Sequence, residues 1–240
     1  MLAAKRGFFM KKTQLIISCE HASNQIPKRF QTLFKNKSSL LNSHAGLDTG
    51  ALAIYKTLVE QCNCLHIKAE WSRLLIDLNR SLHHPKVFSE VTKPLSNTDK
   101  NFIIHHYYLP YRDQLTQYIS HAVKQKKRVL HLSIHSFTPK LNNDIRHNDI
   151  GLLYDSTRIE EKKVAQQIKQ RIIEYDASYQ VRMNYPYLGK ADGLTTAMRR
   201  LFPKKYYLGI EIESNQKHFS YSGIPTTNIT QVLCDSLLAQ

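Results

Sequence analysis

The sequence of 240 residues lacks the features that mark several protein classes. It has only 4 Cys and 1 Trp, its 34 basic residues outnumber its 19 acids, and no apolar run reaches the length of a membrane-spanning helix. Cys62 and Cys64 are too close for a standard zinc knuckle, and no second pair completes a four-ligand set. A hydrophobic fraction of 42% excludes general disorder. These absences favour a globular, reduced and cytoplasmic protein.

The start of the chain is basic but lacks the apolar region of a signal peptide. We expect residues 1–12 to be a loosely ordered segment and residues 1–240 to form a single domain, since the length suits one large α/β unit.

The net charge of +15 raises the question of a nucleic-acid partner. The charge is spread over short clusters that are typical of solvated faces, and no zinc-finger spacing or RNA-binding aromatic motif accompanies them. We therefore do not expect nucleic-acid binding to be the main role, and a basic cleft for a small anionic substrate would use the same charge. The clusters are Lys5, Arg6, Lys11 and Lys12; Lys124, Lys126, Lys127 and Arg128; and Arg199, Arg200, Lys204 and Lys205.

The hydrophobic pattern predicts an α/β fold in which strands alternate with helices. We expect a mixed, mainly parallel sheet with helices on both faces. Pro110 should kink or interrupt the longest helix. The predicted strands are 14–18, 65–69, 74–78, 128–134, 150–154, 180–183 and 206–212, and the predicted helices are 50–61, 98–125, 159–175 and 229–238.

Polar side chains recur where these strands end. Glu20-His21 follows the first strand, a later one ends at 77–80 (Asp-Leu-Asn-Arg), His135 follows 128–134, and acids close 206–212. Ligand sites in open α/β sheets form at the carboxyl ends of strands. Two imidazoles and a carboxylate can hold zinc with an open position for water, a Glu can serve as general base, and an Arg can clamp a carboxylate.

Together these residues resemble the N-formylglutamate amidohydrolase family over roughly residues 14 to 214. The resemblance implies a three-layer fold like that of zinc carboxypeptidases and aspartoacylase-like amidohydrolases. It also implies an Asn-Arg pair for the substrate carboxylate, a His-Ser strand ending with a zinc ligand, and a late-strand Glu as base. The stretches that carry it are 18–27, 48–51, 72–80, 134–137, 184–187 with 191–193, and 209–213.

His21 and His135 are the predicted imidazole ligands of one Zn²⁺ per chain, although another divalent metal would fit the same residues. A zinc carboxypeptidase places Glu three residues after its first His, where this chain has Asn24. Asp48 is the better third ligand, with capping of the helix from Gly50 as its alternative role. His131 is expected to be structural, and Glu20 to be a partner of a ligand.

Asn79 and Arg80 are the predicted carboxylate clamp, although Arg80 could instead form a salt bridge with Asp77. Arg73 is a second candidate anion contact. Asn184 is a further substrate-binding candidate, on the loop 184–193.

Glu211 and Glu213 compete for the role of general base, because period-two geometry puts both on one face of the strand. Comparison with the family's late strand favours Glu211. Cys19 could suggest a cysteine nucleophile, but no base and orienting residue accompany it.

The function expected from the resemblance is hydrolysis of an N-acyl amino acid, with N-formyl-L-glutamate giving formate and glutamate. One alternative is an amidase acting on another amide, such as a peptide or peptidoglycan fragment. The other is a basic nucleic-acid-binding protein that retains the fold.

Overall fold

The computed structural model describes residues 13–238. The predicted basic segment 1–12 lies outside the described residues. A six-stranded sheet has the order β2-β1-β3-β8-β6-β7, and β4 and β5 form a separate hairpin. The strands are β1 (Thr13–Cys19), β2 (Leu65–Lys68), β3 (Arg128–Phe137), β4 (Lys140–Leu141), β5 (Asp144–Ile145), β6 (Ile150–Leu153), β7 (Val181–Met183) and β8 (Tyr207–Asn215).

Strands β2, β1, β3 and β8 run parallel, and β6 joins β8 antiparallel. This confirms the predicted mixed, mainly parallel sheet. The helices are α1 (Ser38–Leu41), α2 (Ala51–Gln61), α3 (Asn97–Ile103), α4 (Leu109–Lys124), α5 (Ile159–Tyr175), α6 (Leu194–Leu201) and α7 (Ile229–Leu238).

Helices cover both faces of the sheet, which gives three layers. One apolar cluster joins α2, α5 and α7 to side chains of β3 such as Leu132. The other joins α4 and α6 to Ile16, Val129 and Tyr207. Side chains alternate along a strand, so the residues of β3 and β8 at odd positions face the second cluster. His131, His135, Glu211 and Glu213 therefore share one face.

One predicted strand is absent from the structure, the longest helix is interrupted, and one helix was not predicted. The predicted strand 74–78 is a series of turns, because its apolar side chains are buried among α3, α4 and their loops without pairing to a strand. The helical region 98–125 is interrupted, as predicted, by a π-helical turn at Ile104–Tyr108 that ends two residues before Pro110, whose missing N–H cannot continue the helical ladder. Helix α6 was not predicted.

Two smaller findings complete the comparison. Strand β3 extends to Phe137, so His135 lies inside the strand instead of after it. Cys62 and Cys64 form a disulfide, which the sequence analysis did not anticipate. Among residues 13–238, no helix is long and apolar enough to cross a membrane.

Candidate active site

A cleft of about 460 Å³ opens at the carboxyl ends of the parallel strands. It collects residues that the sequence analysis singled out separately, because β1, β3 and β8 are neighbours and end at the same edge. The predicted site residues that line it are His21, Asp48, Arg73, Asn79, Arg80, His135, Glu211 and Glu213.

Two histidines converge on one carboxylate oxygen. Nδ1 of His21 lies 3.1 Å from Oδ2 of Asp48, and Nδ1 of His135 lies 3.0 Å from the same oxygen. One ligand atom from each residue lies within 4.8 Å of the other two. Three ligands with bonds of about 2.1 Å around one zinc ion have separations in this range.

The backbone brings Asp48 to this position. Its N–H donates to the carbonyl oxygen of His21 at 3.1 Å. Gly50 then turns the chain into α2 with φ of 88°, where a Cβ would also lie 2.4 Å from the ring of Phe219. The alternative capping role of Asp48 is wrong, since Gly50 is the N-cap of α2 and the carboxylate of Asp48 faces the histidines.

The other nitrogen of each histidine faces a second carboxylate. Nε2 of His21 lies 2.7 Å from Oδ1 of Asp77, and Nε2 of His135 lies 2.9 Å from Oε2 of Glu20. With a metal ion bound at the two Nδ1 atoms, each Nε2 would carry the hydrogen of the neutral ring and donate it to its carboxylate. This pattern is typical of metal-ligating histidines.

The charges around the histidines are strongly coupled. Burial would raise the pKa values of Asp48, Asp77 and Glu20, but hydrogen bonds and neighbouring positive charge hold all three pKa values below their ordinary range. Burial would lower the pKa of His135, but the carboxylates of Asp48 and Glu20 raise it well above its ordinary value. The group therefore favours bound positive charge.

These residues fit a zinc ion. In the absence of positive charge between them, the lone pairs on both Nδ1 atoms would face the lone pairs of Oδ2 of Asp48 at about hydrogen-bond distance. Two imidazoles and one carboxylate are a common ligand set of catalytic zinc sites. Glu20, predicted to be a partner of a ligand, contacts the candidate ligand His135.

Arg73 stabilises the carboxylates of the candidate metal site. Its guanidinium lies 3.2 Å from Oδ1 of Asp48 and 2.8 Å from Oδ2 of Asp77. The salt bridge with Asp77 that was an alternative for Arg80 is thus formed by Arg73. Because its charge is already shared between two carboxylates, Arg73 supports the metal site more directly than it offers an anion contact.

Asn79 and Arg80 line the cleft with donors available. Oδ1 of Asn79 accepts the backbone N–H of Leu194 at 2.7 Å, which leaves the amide Nδ2 of Asn79 turned away from that contact. Nη1 of Arg80 donates to the carbonyl oxygen of Asp192 at 2.9 Å. Within residues 13–238, Arg80 forms no close ion pair with a carboxylate, although its positive charge helps to lower the pKa values of Asp77 and Asp192.

Glu211 and Glu213 both reach the cleft, as their shared face predicts. Oε1 of Glu211 accepts a hydrogen bond from the hydroxyl of Thr195. Glu213 lies beside His135 in the strand register, and its Oε2 is buried without a hydrogen-bond partner among the described residues. Burial raises the pKa of Glu213 to about 8.

Other candidates lie elsewhere. Asn184 does not line the cleft, and its Oδ1 accepts from the N–H groups of Tyr154 and Gly189 within its own region, which leaves no support for its predicted substrate contact. Asn24 forms a hydrogen bond with Asn42 and does not join the histidines.

Two further residues are buried outside the cleft. His131 is fully buried between Ser18 and Tyr207, in the structural role predicted for it. Burial raises the pKa of Cys19 well above its ordinary value, which disfavours a thiolate nucleophile.

Sequence reasoning missed several residues that support the site. Tyr111 and Ser133 both donate to Glu20. Arg199 belongs to a cluster interpreted as a solvated face, but it is buried against Glu161. A helical signal was available for α6, since apolar residues recur at 194, 198 and 201 after Gly193.

The sequence model of the N-formylglutamate amidohydrolase family matches residues 13–220. The chain belongs to this family. It is therefore an amidohydrolase, and the family implies a small substrate. None of the curated proteins matches the chain.

Solved structures share the fold of this amidohydrolase. A gene product of Agrobacterium tumefaciens is 26% identical with a TM-score of 0.77, over 95% of this chain and 91% of that one. The N-formylglutamate amidohydrolase of Ralstonia eutropha JMP134 is 17% identical with a TM-score of 0.67, over 94% of this chain and 90% of that one. The second likeness supports the three-layer fold alone.

Proposed function

We propose that this amidohydrolase is a zinc enzyme that converts N-formyl-L-glutamate to formate and L-glutamate. The observation that carries the proposal is the convergence of His21, His135 and Asp48 in the same cleft as Glu211 and Arg80. Membership of the family supports the choice of reaction and substrate.

His21, His135 and Asp48 would hold one zinc ion per chain. When bound, zinc polarises a carbonyl group and lowers the pKa of water, which supplies a nucleophile near neutral pH. Glu20 and Asp77 keep the two imidazole rings oriented through their Nε2–H groups. Arg73 keeps Asp48 and Asp77 ionised and in place.

Glu211 acts as the general base. Thr195 occupies its Oε1, whereas Oε2 makes no hydrogen bond among the described residues and is free to accept a proton. Glu211 takes a proton from the attacking water as the new C–O bond forms at the formyl carbon. It then returns this proton to the nitrogen of glutamate as the C–N bond breaks.

Asn79 and Arg80 bind a carboxylate of the substrate. The guanidinium of Arg80 presents several N–H groups in a plane, which matches the two oxygens of a carboxylate. The amide Nδ2 of Asn79 adds a donor whose direction is fixed by the contact between its Oδ1 and Leu194. The anionic substrate is thereby held beside the candidate metal site.

The proposed base can be tested by measuring formate release from N-formyl-L-glutamate with added zinc. We expect Glu211→Gln to lower kcat by about 10² to 10⁴ with bound zinc unchanged, because the amide cannot accept the proton. Glu213→Gln is the matched variant on the same strand face and should retain most of the activity. Full activity of Glu211→Gln would contradict the proposal.

The substrate panel should include N-acetyl-L-glutamate and a formylated peptide. Faster turnover of either would favour an amidase for another amide. The net charge of +15 raised the alternative of a basic nucleic-acid-binding protein. Nucleic-acid affinity that falls steeply with salt, together with no hydrolysis of any of these amides, would favour that alternative.

We also propose that the chain is one catalytic domain that acts in the cytoplasm. The buried free thiols of Cys19 and Cys234 are compatible with this location. Disulfides are rare in reducing compartments, so the bond between Cys62 and Cys64 counts against this location. Thiol titration of the denatured protein, isolated under thiol-blocking conditions, is the test: two free thiols at these positions would favour the cytoplasm, and a retained disulfide would favour an oxidising compartment.

A further inference from the structure

The start of helix α6 contacts two residues of the proposed active site. The backbone N–H of Leu194 donates to Oδ1 of Asn79 at 2.7 Å, and the hydroxyl of Thr195 donates to Oε1 of Glu211. Thr195 itself is fully buried and does not line the cleft. It can therefore affect the reaction through Glu211 without touching the substrate.

The hydrogen bond between Thr195 and Glu211 has one polarity. A carboxylate can only accept hydrogen bonds, so the hydroxyl of Thr195 donates to Oε1 of Glu211. Arg199, one helical turn further along α6, lies beside this contact: its Nη1 is 2.5 Å from the carbonyl oxygen of Gly189, 3.1 Å from Oγ1 of Thr196 and 3.3 Å from Oγ1 of Thr195.

Arg199 is itself held by a buried ion pair. Its Nε lies 3.0 and 3.1 Å from the two carboxylate oxygens of Glu161, and its Nη2 donates to the carbonyl oxygen of Gly209 at 2.8 Å. Glu161 also accepts the N–H of Gly209 at 3.1 Å. The ion pair of Glu161 and Arg199 therefore connects α5 and α6 to β8 at Gly209, two residues before Glu211. It fixes the position of α6 relative to that strand.

Gly209 has no room for a larger residue at this junction. A Cβ there would lie 2.9 Å from the hydroxyl oxygen of Tyr207 and 3.2 Å from Cβ of Thr195. The close approach of α6 to β8 is what brings the Thr195 hydroxyl within reach of Glu211.

We propose that Thr195 is a positioning residue, whose hydroxyl holds one carboxylate oxygen of Glu211 so that the other accepts the proton of the attacking water. This inference rests on the proposed role of Glu211. A carboxylate without this contact can rotate about its terminal bond and spend time in unproductive orientations. Loss of the hydroxyl therefore affects proton transfer more than substrate binding.

Thr195→Val removes the hydroxyl and keeps the shape of the side chain, and Thr195→Ser keeps the hydroxyl. We expect Thr195→Val to lower kcat by about 10-fold or more, as for a hydrogen bond to a charged group, with KM for N-formyl-L-glutamate and bound zinc within about twofold of wild type. Thr195→Ser should recover most of the lost kcat, which a purely structural role of the threonine methyl group would not produce.

Thr230→Val is the matched control. Thr230 is buried on α7, and its Oγ1 has no hydrogen-bond partner among the described residues. This control should leave kcat and KM unchanged. Thermal melting of each variant, with kcat expressed per folded and zinc-loaded chain, separates catalysis from loss of folded protein.

Two results overturn the inference alone: a Thr195→Val kcat within about twofold of wild type while Glu211→Gln is inactive, or a Thr195→Ser kcat as low as that of Thr195→Val. A fully active Glu211→Gln variant instead removes the proposed base, and the role of Thr195 with it. The two failures are thus distinguished by the same assay.

Discussion

Nδ1 of His135 lies 3.0 Å from Oδ2 of Asp48, although the two residues are 87 positions apart in the sequence. Their contact joins β3, one of the two central strands of the sheet, to the turn before α2. His21 reaches the same oxygen from the end of β1. Three separate segments thus meet at Oδ2 of Asp48. The Nε2 atom of each histidine contacts a second carboxylate, that of Asp77 or Glu20.

The carboxylates of Glu20 and Asp77, which contact the two histidines, should determine how tightly zinc is held. We expect Glu20→Gln and Asp77→Asn each to weaken zinc binding by about 10- to 100-fold, because each removes a charged acceptor from the Nε2–H group of a histidine. Competition with a chromophoric chelator measures the affinity.

Asp113→Asn, an exposed change on α4, is the control for both variants and should bind zinc as wild type does. Unchanged zinc affinity in Glu20→Gln and Asp77→Asn would show that these contacts do not orient metal ligands.

Arg80 should act mainly on substrate binding. Arg80→Lys keeps the positive charge but loses the planar pair of N–H groups, so KM for N-formyl-L-glutamate should rise about 10-fold or more while kcat changes less. Steady-state assays of formate release give both constants. Arg29→Lys, at an exposed ion pair with Asp99, should leave them unchanged. A KM for Arg80→Lys equal to that of wild type would remove Arg80 from the substrate site.

The sequence was sufficient to predict the sheet and the residues at its carboxyl edge. Periodicity identifies β1, β3 and β8, and parallel strands bring His21, His135 and Glu211 to one edge regardless of their spacing in the chain. Asp48 was ambiguous, because an acid before a helix is also typical of a cap. The structure decides between the two roles, because Gly50 and not Asp48 is the N-cap of α2.

The residues that sequence reasoning missed act across the fold. Glu161 and Arg199 are 38 residues apart on different helices, and no local pattern pairs them. The region 74–78 shows the converse error, since a buried apolar run resembles a strand even where no partner strand is available. Hydrophobicity reports burial, whereas hydrogen-bond pairing depends on the tertiary structure.

The ion pair of Arg199 should matter for stability. Arg199→Met leaves the fully buried Glu161 with only the more distant Arg158, at 3.8 Å, as a charged partner, so we expect the free energy of unfolding to fall by about 3 kcal/mol. Urea denaturation measures the loss. The neighbouring Arg200 is exposed, and Arg200→Met should change the stability by less than about 0.5 kcal/mol. Equal stabilities of the two variants would contradict the structural role of Arg199.

Glu213 should give the metal-free protein a distinct pH dependence. Burial raises its pKa from 4.5 to about 8, so between these values the folded state binds more protons than the unfolded state. The contribution of Glu213 to stability is therefore complete below about pH 4.5, falls as the pH rises toward about 8, and is constant above that value.

Glu213→Gln lacks this titration. In urea denaturation with a chelator present, the free energy of unfolding of wild type minus that of Glu213→Gln should decrease from about pH 5 to about pH 8 and then level off. The exposed Glu60→Gln change on α2 is the control. A difference that does not vary with pH would show that Glu213 titrates alike in the folded and unfolded states.

The most direct test of the account is zinc titration of chelator-stripped protein while formate release from N-formyl-L-glutamate is measured. The account predicts that stripped protein is inactive and that activity returns in proportion to zinc until about one equivalent per chain. A His135→Ala variant should neither retain zinc nor recover activity. Stripped wild type that releases formate at its original rate, or a His135→Ala variant as active as wild type, would contradict the zinc site at His21, Asp48 and His135.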